Sequence, residues 1–289
     1  MKEIVIISGK GGTGKTSVAA ALASLAGKEA IVADCDVDAS NLHLIMHPKT
    51  TSREDFYSGT LAEIDEKACI ACGLCKNVCR FNAVEYSNNL YTIDELNCEG
   101  CGYCSKVCPS GAITMKPQKS GDVFHGDTEI ADGMVYAKLG IGAENSGKLV
   151  AKVKKDAMLM AEKKGRNIII VDGSPGIGCP VVSSLSGASY VVIVTEPSVS
   201  GFHDLTRVIE LIQKFRLSAG CIINKRDLNE DISQKIKDYL IGEGVQHLAD
   251  LPYHNSFSKA VKEGVPVTTL EVKEINDALC TVWSKINNQ

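Results

Sequence analysis

No apolar run in this sequence approaches the roughly 20 residues that a helix needs to cross a bilayer. The opening residues read at once as a strand and a loop, which leaves no place for a signal peptide. These absences predict a cytoplasmic chain with no membrane insertion. Excess positive charge is missing too, since 31 Lys+Arg stand against 35 Asp+Glu for a net −4. No electrostatic footprint for nucleic acid results, and no nucleic-acid partner is expected. Aromatic residues make up only 5% within an apolar fraction of 44%, the composition of an ordinary soluble protein. In a reducing cytosol the twelve cysteines are not expected to form structural disulfides, so metal ligation is the expected use of those that cluster. A length of 289 residues suggests two domains and ample material for one large core.

What is present begins with Ser8-Gly9-Lys10-Gly11-Gly12-Thr13-Gly14-Lys15-Thr16-Ser17. The stretch follows the apolar run Ile4 to Ile7 and opens the alanine-rich segment Val18 to Ala26, so its glycines lie on a strand-to-helix turn. Glycines let successive backbone N–H groups converge on phosphate oxygens, and the helix N-terminus adds its dipole. Residues Gly9 to Ser17 are therefore the predicted nucleotide-binding loop, with Lys15 reaching the outer phosphates and the Thr16 hydroxyl on Mg²⁺. A second buried strand, Ala30 to Ala33, ends in Asp34-Cys35-Asp36-Val37-Asp38. Alone, Asp-x-Asp after a strand is as readily turn chemistry as catalysis. Beside a phosphate loop, such carboxylates can hold Mg²⁺ and orient water. A third run, Ile168 to Val171, ends in Asp172, placed to sit near the metal, and continues into Gly173-Ser174-Pro175-Gly176-Ile177-Gly178-Cys179.

Between His47-Pro48 and Lys119 the composition changes, and eight of the cysteines fall in two runs. These are Cys69-x-x-Cys72-x-x-Cys75-x-x-x-Cys79 and Cys98-x-x-Cys101-x-x-Cys104-x-x-x-Cys108-Pro109. Phe81-Asn82-Ala83-Val84 after the first echoes Ser110-Gly111-Ala112-Ile113 after the second, so the segment is an internal repeat. It resembles a bacterial two-cluster ferredoxin, in which the fourth cysteine of each run ligates the other cluster. That resemblance implies one [4Fe–4S] cluster on Cys69, Cys72, Cys75 and Cys108, and a second on Cys98, Cys101, Cys104 and Cys79. A pair of zinc sites is the alternative for C-x-x-C spacing. An insert this short has little core, so the clusters are expected to staple it.

Farther along, Met134 to Ala137 and Leu139-Gly140-Ile141 read as short strands, and Asp122 to Asp132 as a polar excursion holding a solvated His125. Asn145-Ser146-Gly147 offers a cap to a helix through Lys164, whose Lys148, Lys152 and Lys155 form a basic stripe. Tyr190 to Val194 reads as a strand and Ser200 to Phe215 as the helix after it. Cys221-Ile222-Ile223 leads into Asn224-Lys225-Arg226-Asp227, a pattern that reads guanine in GTPases. The terminal helix, residues 272–286, places Ile275, Leu279, Val282 and Ile286 on one side for core packing.

Lys10, the extra lysine after the first glycine, makes the loop resemble the deviant Walker A group of dimeric ATPases: MinD, ParA, the nitrogenase iron protein and Mrp-type cluster scaffolds. The resemblance implies that Lys10 reaches into a partner subunit's nucleotide site and that two copies pair on binding ATP. It implies a catalytic role for Lys10, Lys15 and Asp38, Mg²⁺ held by Thr16, Asp36 and Asp172, a γ-phosphate sensor at Gly176, and base contacts from Asn224 and the loop at Pro252. Asn224 then contacts adenine. Cys179 stands at the offset of a cluster-ligating cysteine of the nitrogenase iron protein, but no matching second ligand is evident, and a small buried role is expected.

Alternation of apolar strands and helices predicts an α/β fold, a P-loop NTPase with a mainly parallel sheet covered by helices on both faces. Residues 1–50 and 120–289 form that body, and residues 51–119 a small inserted ferredoxin-like α+β domain. The implied function is an ATPase, using ATP and Mg²⁺, that couples dimer switching to electron transfer from two [4Fe–4S] clusters to a partner metalloprotein. ATP-dependent assembly of a metallocofactor and a non-redox positioning switch are the alternatives.

Overall fold

The computed structural model describes residues 1–140, 142–143 and 146–288. In chain order its strands are β1 (Lys2–Ser8), β2 (Ala30–Asp34), β3 (Lys49–Ile64), β4 (Val84–Ser87), β5 (Leu90–Ile93), β6 (Ile113–Asp127), β7 (Gly133–Leu139), β8 (Ile168–Pro175), β9 (Tyr190–Thr195), β10 (Ala219–Ile223) and β11 (Gln246–Asp250). The α-helices are α1 (Lys15–Ala26), α2 (His43–Met46), α3 (Leu74–Val78), α4 (Tyr103–Val107), α5 (Ser146–Lys164), α6 (Cys179–Leu185), α7 (Val199–Lys214), α8 (Glu230–Gly242), α9 (Asn255–Glu263) and α10 (Lys273–Asn287). Two compact units divide the chain. The first is Met1–Glu54, Asp122–Leu139 and Ser146–Gln289, and the second is Asp55–Gly121 with Gly140–Asn145.

A nine-stranded sheet runs in the order β11, β10, β9, β1, β8, β2, β7, β6, β3. β1 pairs in parallel with β8 and β9, and the parallel pairing extends through β10 to β11 on one side and through β2 to β7 on the other. Ile4, Val5, Ile6 and Ile7 of β1 are all 0% exposed, as strands covered on both faces must be. Their side chains alternate in direction. Ile4 and Ile6 join one core with α1 and with Ile275, Leu279, Val282 and Ile286 of α10. The terminal helix thus packs in the core as its spacing predicts. In α1, Ala19, Ala20, Ala21 and Ala23 are fully buried, and their small side chains let the helix lie close to the sheet. Because the strands are parallel, the loops following β1, β2, β8, β9, β10 and β11 gather at one end of the sheet, where ligands bind in such folds.

Several local expectations are corrected. Residues 122–127 are not an excursion: β6 continues through Asp127, because its polar positions find partners beside it. Arg53 pairs with Asp122 at 3.0 Å, and His125 bonds Ser52 Oγ at 3.1 Å and Asp156 Oδ2 at 3.0 Å. His125 is therefore a half-buried strand residue rather than a solvated loop histidine. Lys152 of the expected basic stripe is neutralised by Asp156 at 2.8 Å and Glu54 at 3.0 Å. One strand, β7, covers Met134 to Leu139, and the expected positions Ile141 and Asn145 lie outside the described residues. Within α5 the buried Lys154 pairs with Glu3 at 2.5 Å and donates to the carbonyls of Ser184 and Ser186, each at 2.5 Å, fixing the end of α6 to the sheet. Among the described residues no helix is long and apolar enough to cross a membrane.

The second unit holds α3, α4, the antiparallel hairpin β4–β5 and the adjoining parts of β3 and β6. Its two halves repeat in backbone detail. α3 and α4 start from left-handed glycines, Gly73 at φ 79° and Gly102 at φ 71°, and end on Cys79 at φ −74°, ψ 112° and Cys108 at φ −73°, ψ 112°. The halves also cross-bond, with Asp65 N–H donating to Ala112 O and Asp94 N–H to Ala83 O, both at 2.8 Å. Ala62, Cys75, Val84 and Ile113 form a small buried cluster there, with half-buried cysteines packed against it.

Candidate nucleotide site and cysteine-lined cavities

The stretch between β1 and α1 makes the turn that its glycines predict. Gly14 sits at φ 92°, and a Cβ there would come within 2.4 Å of Asn224 Nδ2, so only glycine lets the two meet. Asn224 Nδ2 donates to Thr13 O at 2.7 Å, and Lys225 Nζ donates to Gly12 O at 3.0 Å. The segment after β10 therefore braces the loop. Lys15 opens α1 with its ammonium 2.7 Å from Asp172 Oδ1 and 3.1 Å from Asp36 Oδ2. Burial works against charging Lys15, but the carboxylates of Asp172, Asp36 and Asp34 outweigh it and raise its pKa. The Thr16 hydroxyl is among the groups that pull the pKa of Asp172 down, after Lys15. The structure thus joins Lys15, Thr16, Asp36 and Asp172. Asp38 is not brought to Lys15: it is exposed, and partial burial followed by the charge of Asp36 raises its pKa.

Asp172 Oδ2 is buried with no hydrogen-bond partner, as is the Thr13 hydroxyl. An orphaned carboxylate oxygen beside a hydroxyl and a second carboxylate is a donor set that suits Mg²⁺, a hard cation taking oxygen ligands. Thr16, Asp36 and Asp172 fit that ion. Gly176, at φ 90°, donates its N–H to Ser8 O at 2.8 Å, which lays the loop after β8 along the start of the phosphate loop. Ser174 Oγ bonds Cys35 O at 2.8 Å and ties the loops after β2 and β8 together.

A cavity of about 470 Å³ extends from Gly12, Gly14 and Ser17 past Asn224 to Pro252, Tyr253 and Phe257. Beyond the phosphate loop, the aromatic side chains of this segment offer a face for a base. Asp227, the last residue of the guanine-type pattern, accepts from Tyr253 N–H at 2.6 Å, so its carboxylate holds the loop. The sequence points to the loop at Pro252, and no motif marks Phe257.

Lys10 meets the segment between β9 and α7. Its ammonium is 2.7 Å from Glu196 Oε1, 3.1 Å from Ser198 Oγ and 2.9 Å from Ser200 Oγ. Glu196 also takes Lys225 at 2.7 Å. Burial raises the pKa of Glu196, and the bonds from Lys10 and Lys225 more than reverse that. Sequence reasoning missed Glu196, which no motif marks.

Asp34 was also missed as an organiser. It is 0% exposed and accepts from Ser40 Oγ at 2.7 Å and from the N–H groups of Asp36 and Leu42, each at 3.2 Å. Burial, with the nearby Asp172 charge, pushes its carboxyl up to about 7 against the pull of Ser40 and Lys15. The folded chain therefore keeps a proton that the unfolded chain releases near pH 4. Stability of the nucleotide-free protein is expected to fall as pH rises from about 4 to about 7, and Asp34→Asn to flatten that fall. Urea unfolding across this range measures it, and an unchanged slope in the variant refutes the linkage.

The eight clustered cysteines line two cavities, and each cavity draws on both runs. Cys69, Cys72 and Cys75 face one together with Cys108. Cys98, Cys101 and Cys104 face the other together with Cys79. None of the twelve cysteines forms a disulfide. Apolar residues complete the walls, Ile64, Tyr91 and Ile113 in the first and Ala62, Phe81 and Ile93 in the second. Four sulfurs around a small apolar cavity fit a cubane cluster with one thiolate on each iron. Cys179 is exposed at the start of α6, not buried as expected, whereas Cys35 and Cys221 are fully buried.

The family model described as CobQ/CobB/MinD/ParA nucleotide binding domain matches residues 4–267. An uncharacterized protein of Methanocaldococcus jannaschii is 34% identical over 78% of this chain and 79% of its own length. An uncharacterized ATP-binding protein of the same organism is 24% identical over 92% of this chain and 80% of its own. The solved septum site-determining protein MinD of Pyrococcus horikoshii, complexed with Mg-ADP, is similar at a TM-score of 0.59 and 19% identity, over 99% of this chain and 96% of that one. The fold is thus that of MinD, and the chain belongs to the CobQ/CobB/MinD/ParA nucleotide-binding family as an ATPase of the MinD/ParA type.

Proposed function

We propose that this ATPase couples nucleotide-dependent pairing of two copies to electron transfer from two [4Fe–4S] clusters to a partner metalloprotein. The observation that carries the reading is the crossed grouping of eight cysteines: Cys108 lines the cavity of the first run and Cys79 that of the second. In a duplicated two-cluster fold the fourth cysteine of each run ligates the other cluster, and four cysteines around each cavity match that arrangement. The second unit would then be the ferredoxin-like domain, held together by its clusters because its own buried core is so small. Bound there, each cluster supplies one-electron chemistry.

The nucleotide half of the cycle uses this chain's own residues. Backbone N–H groups of residues 9–17 cradle the phosphates, Lys15 leaves Asp172 for the outer phosphates, and Thr16, Asp36 and Asp172 hold Mg²⁺. Asp38 orients water for attack on the γ-phosphate, and Gly176 gives up its bond to Ser8 to read that phosphate. Asn224 and Pro252 bound the base pocket. Lys10 exchanges Glu196 for the partner copy's nucleotide.

Replacing Lys10 by alanine is therefore expected to abolish ATP-dependent pairing while leaving nucleotide binding by single chains within a few-fold. Light scattering with and without ATP checks it, and an unchanged dimer removes Lys10 from the interface. For coupling, the cluster potentials without nucleotide, with ADP and with a non-hydrolysable ATP analogue are expected to differ. Equal potentials, with partner transfer rates indifferent to nucleotide, would overturn the redox reading. They would favour a positioning switch, the reading to which the similarity to MinD points.

A further inference from the structure

Resting on the cluster reading above, we propose that Ser110 makes the cluster on Cys69, Cys72, Cys75 and Cys108 the more easily reduced of the two. The repeat supplies an internal control for this comparison. Backbone angles at Cys79 and Cys108 agree within a degree, and the glycines before α3 and α4 share one conformation. Backbone geometry around the two clusters is thus duplicated, and what differs is the side chains.

One difference sits two residues beyond the crossing cysteine. Ser110 places its Oγ 3.6 Å from Cys108 Sγ. Phe81, at the matching place after Cys79, is a hydrocarbon on the wall of its cavity, and among the described residues no side-chain donor is bonded to Cys79. Ser110 can donate to a ligating thiolate, whereas Phe81 cannot. Adding one electron takes a [4Fe–4S]²⁺ core to [4Fe–4S]¹⁺ without a proton, and the added charge spreads onto the ligand sulfurs. A donor on one of those sulfurs stabilises the reduced state more than the oxidised one, and hydrogen bonds to sulfur are among the determinants of cluster potential. Nearby charges do not reverse the bias. Arg80 and Glu99 beside the second cluster are both exposed and of opposite sign, and solvent and salt screen them. Lys76 in α3 and Lys106 in α4, one in each half, are exposed and screened in the same way. Electrons entering at the second cluster therefore run downhill to the first.

The test is a redox titration of the holoprotein without nucleotide, using dithionite as the electron donor with mediators, followed by electron paramagnetic resonance. Two waves are expected. Ser110→Ala should lower only the higher-potential wave, and Ser110→Thr should restore it. Phe81→Ser, which gives the second half the missing donor, should raise only the lower wave. A single unresolved wave in the wild type, a Ser110→Ala shift of the lower wave, or no shift in either variant overturns the proposal. Should Ser110→Ala fail to hold its cluster, the Phe81→Ser arm decides. Iron content of about eight per chain checks the cluster reading separately. Because no nucleotide is present, loss of ATP coupling leaves this result standing.

Discussion

Lys15→Met abolishes ATP turnover and, at the same time, destabilises the protein before any nucleotide is added. The first effect follows from the phosphate loop, where Lys15 is the cation that reaches the outer phosphates. A loss of at least a thousandfold in hydrolysis is expected, in line with the weight of positioned charge on a transferring phosphoryl group. The second effect follows from burial. Lys15 is 6% and Asp172 1% exposed, and their 2.7 Å pair is what compensates a group of three acids, Asp34, Asp36 and Asp172. Removing one partner of a buried pair costs about 3–5 kcal/mol, because the other charge stays behind without compensation. The carboxylates can escape part of that cost by taking up a proton. Burial already raises the pKa of Asp172, with Lys15 the main influence holding it down, so losing Lys15 raises it further. The destabilisation is therefore larger at pH 8 than at pH 6, and comparison of urea midpoints at the two values measures it. Hydrolysis within tenfold of wild type would remove Lys15 from the site, and an unshifted midpoint would show that the three acids are compensated otherwise.

Cys108→Ser is expected to remove the cluster of the first cysteine run and to spare that of the second. Iron should fall from about eight to about four per chain. Which cluster is lost is read by doubling the substitution. Cys108→Ser with Cys72→Ser should still leave about four irons, since both residues face one cavity. Cys108→Ser with Cys101→Ser should leave almost none, since Cys101 faces the other. The opposite pattern would mean that each run holds its own cluster. Because the second unit has so few buried apolar side chains, losing one cluster should also loosen its half, detected as faster proteolysis between residues 55 and 121.

The difference between the two expectations for Asp36 and Asp38 shows where reading a motif stops. Both aspartates follow β2 at alternate positions, and the pattern alone cannot say which points inward. The turn decides: Asp34 gathers the N–H groups of Asp36 and Leu42, and this curls the chain so that Asp36 meets Lys15 while Asp38 stays exposed. Hydrolysis measured in Asp36→Asn and Asp38→Asn separates their roles. Polar residues in β6 mislead in a similar way. Asp122 and His125 look solvent-bound in the sequence because their partners, Arg53, Ser52 and Asp156, are remote in the chain.

The sequence by itself determined the parts whose chemistry is contiguous. The phosphate loop, the apolar strands that end in Asp34 and Asp172, and the two cysteine runs each need residues a fixed few positions apart, so their spacing carries the information. Parallel strands made the end of the sheet that bears the site legible as well. Tertiary structure alone decided what closes across distance. It set Glu196 against Lys10, Asn224 against Thr13 and Lys154 against Glu3. Such contacts join segments that are remote along the chain, and no local period or motif encodes them. They form only because burial of the apolar faces brings those segments together and leaves each polar group to find a partner.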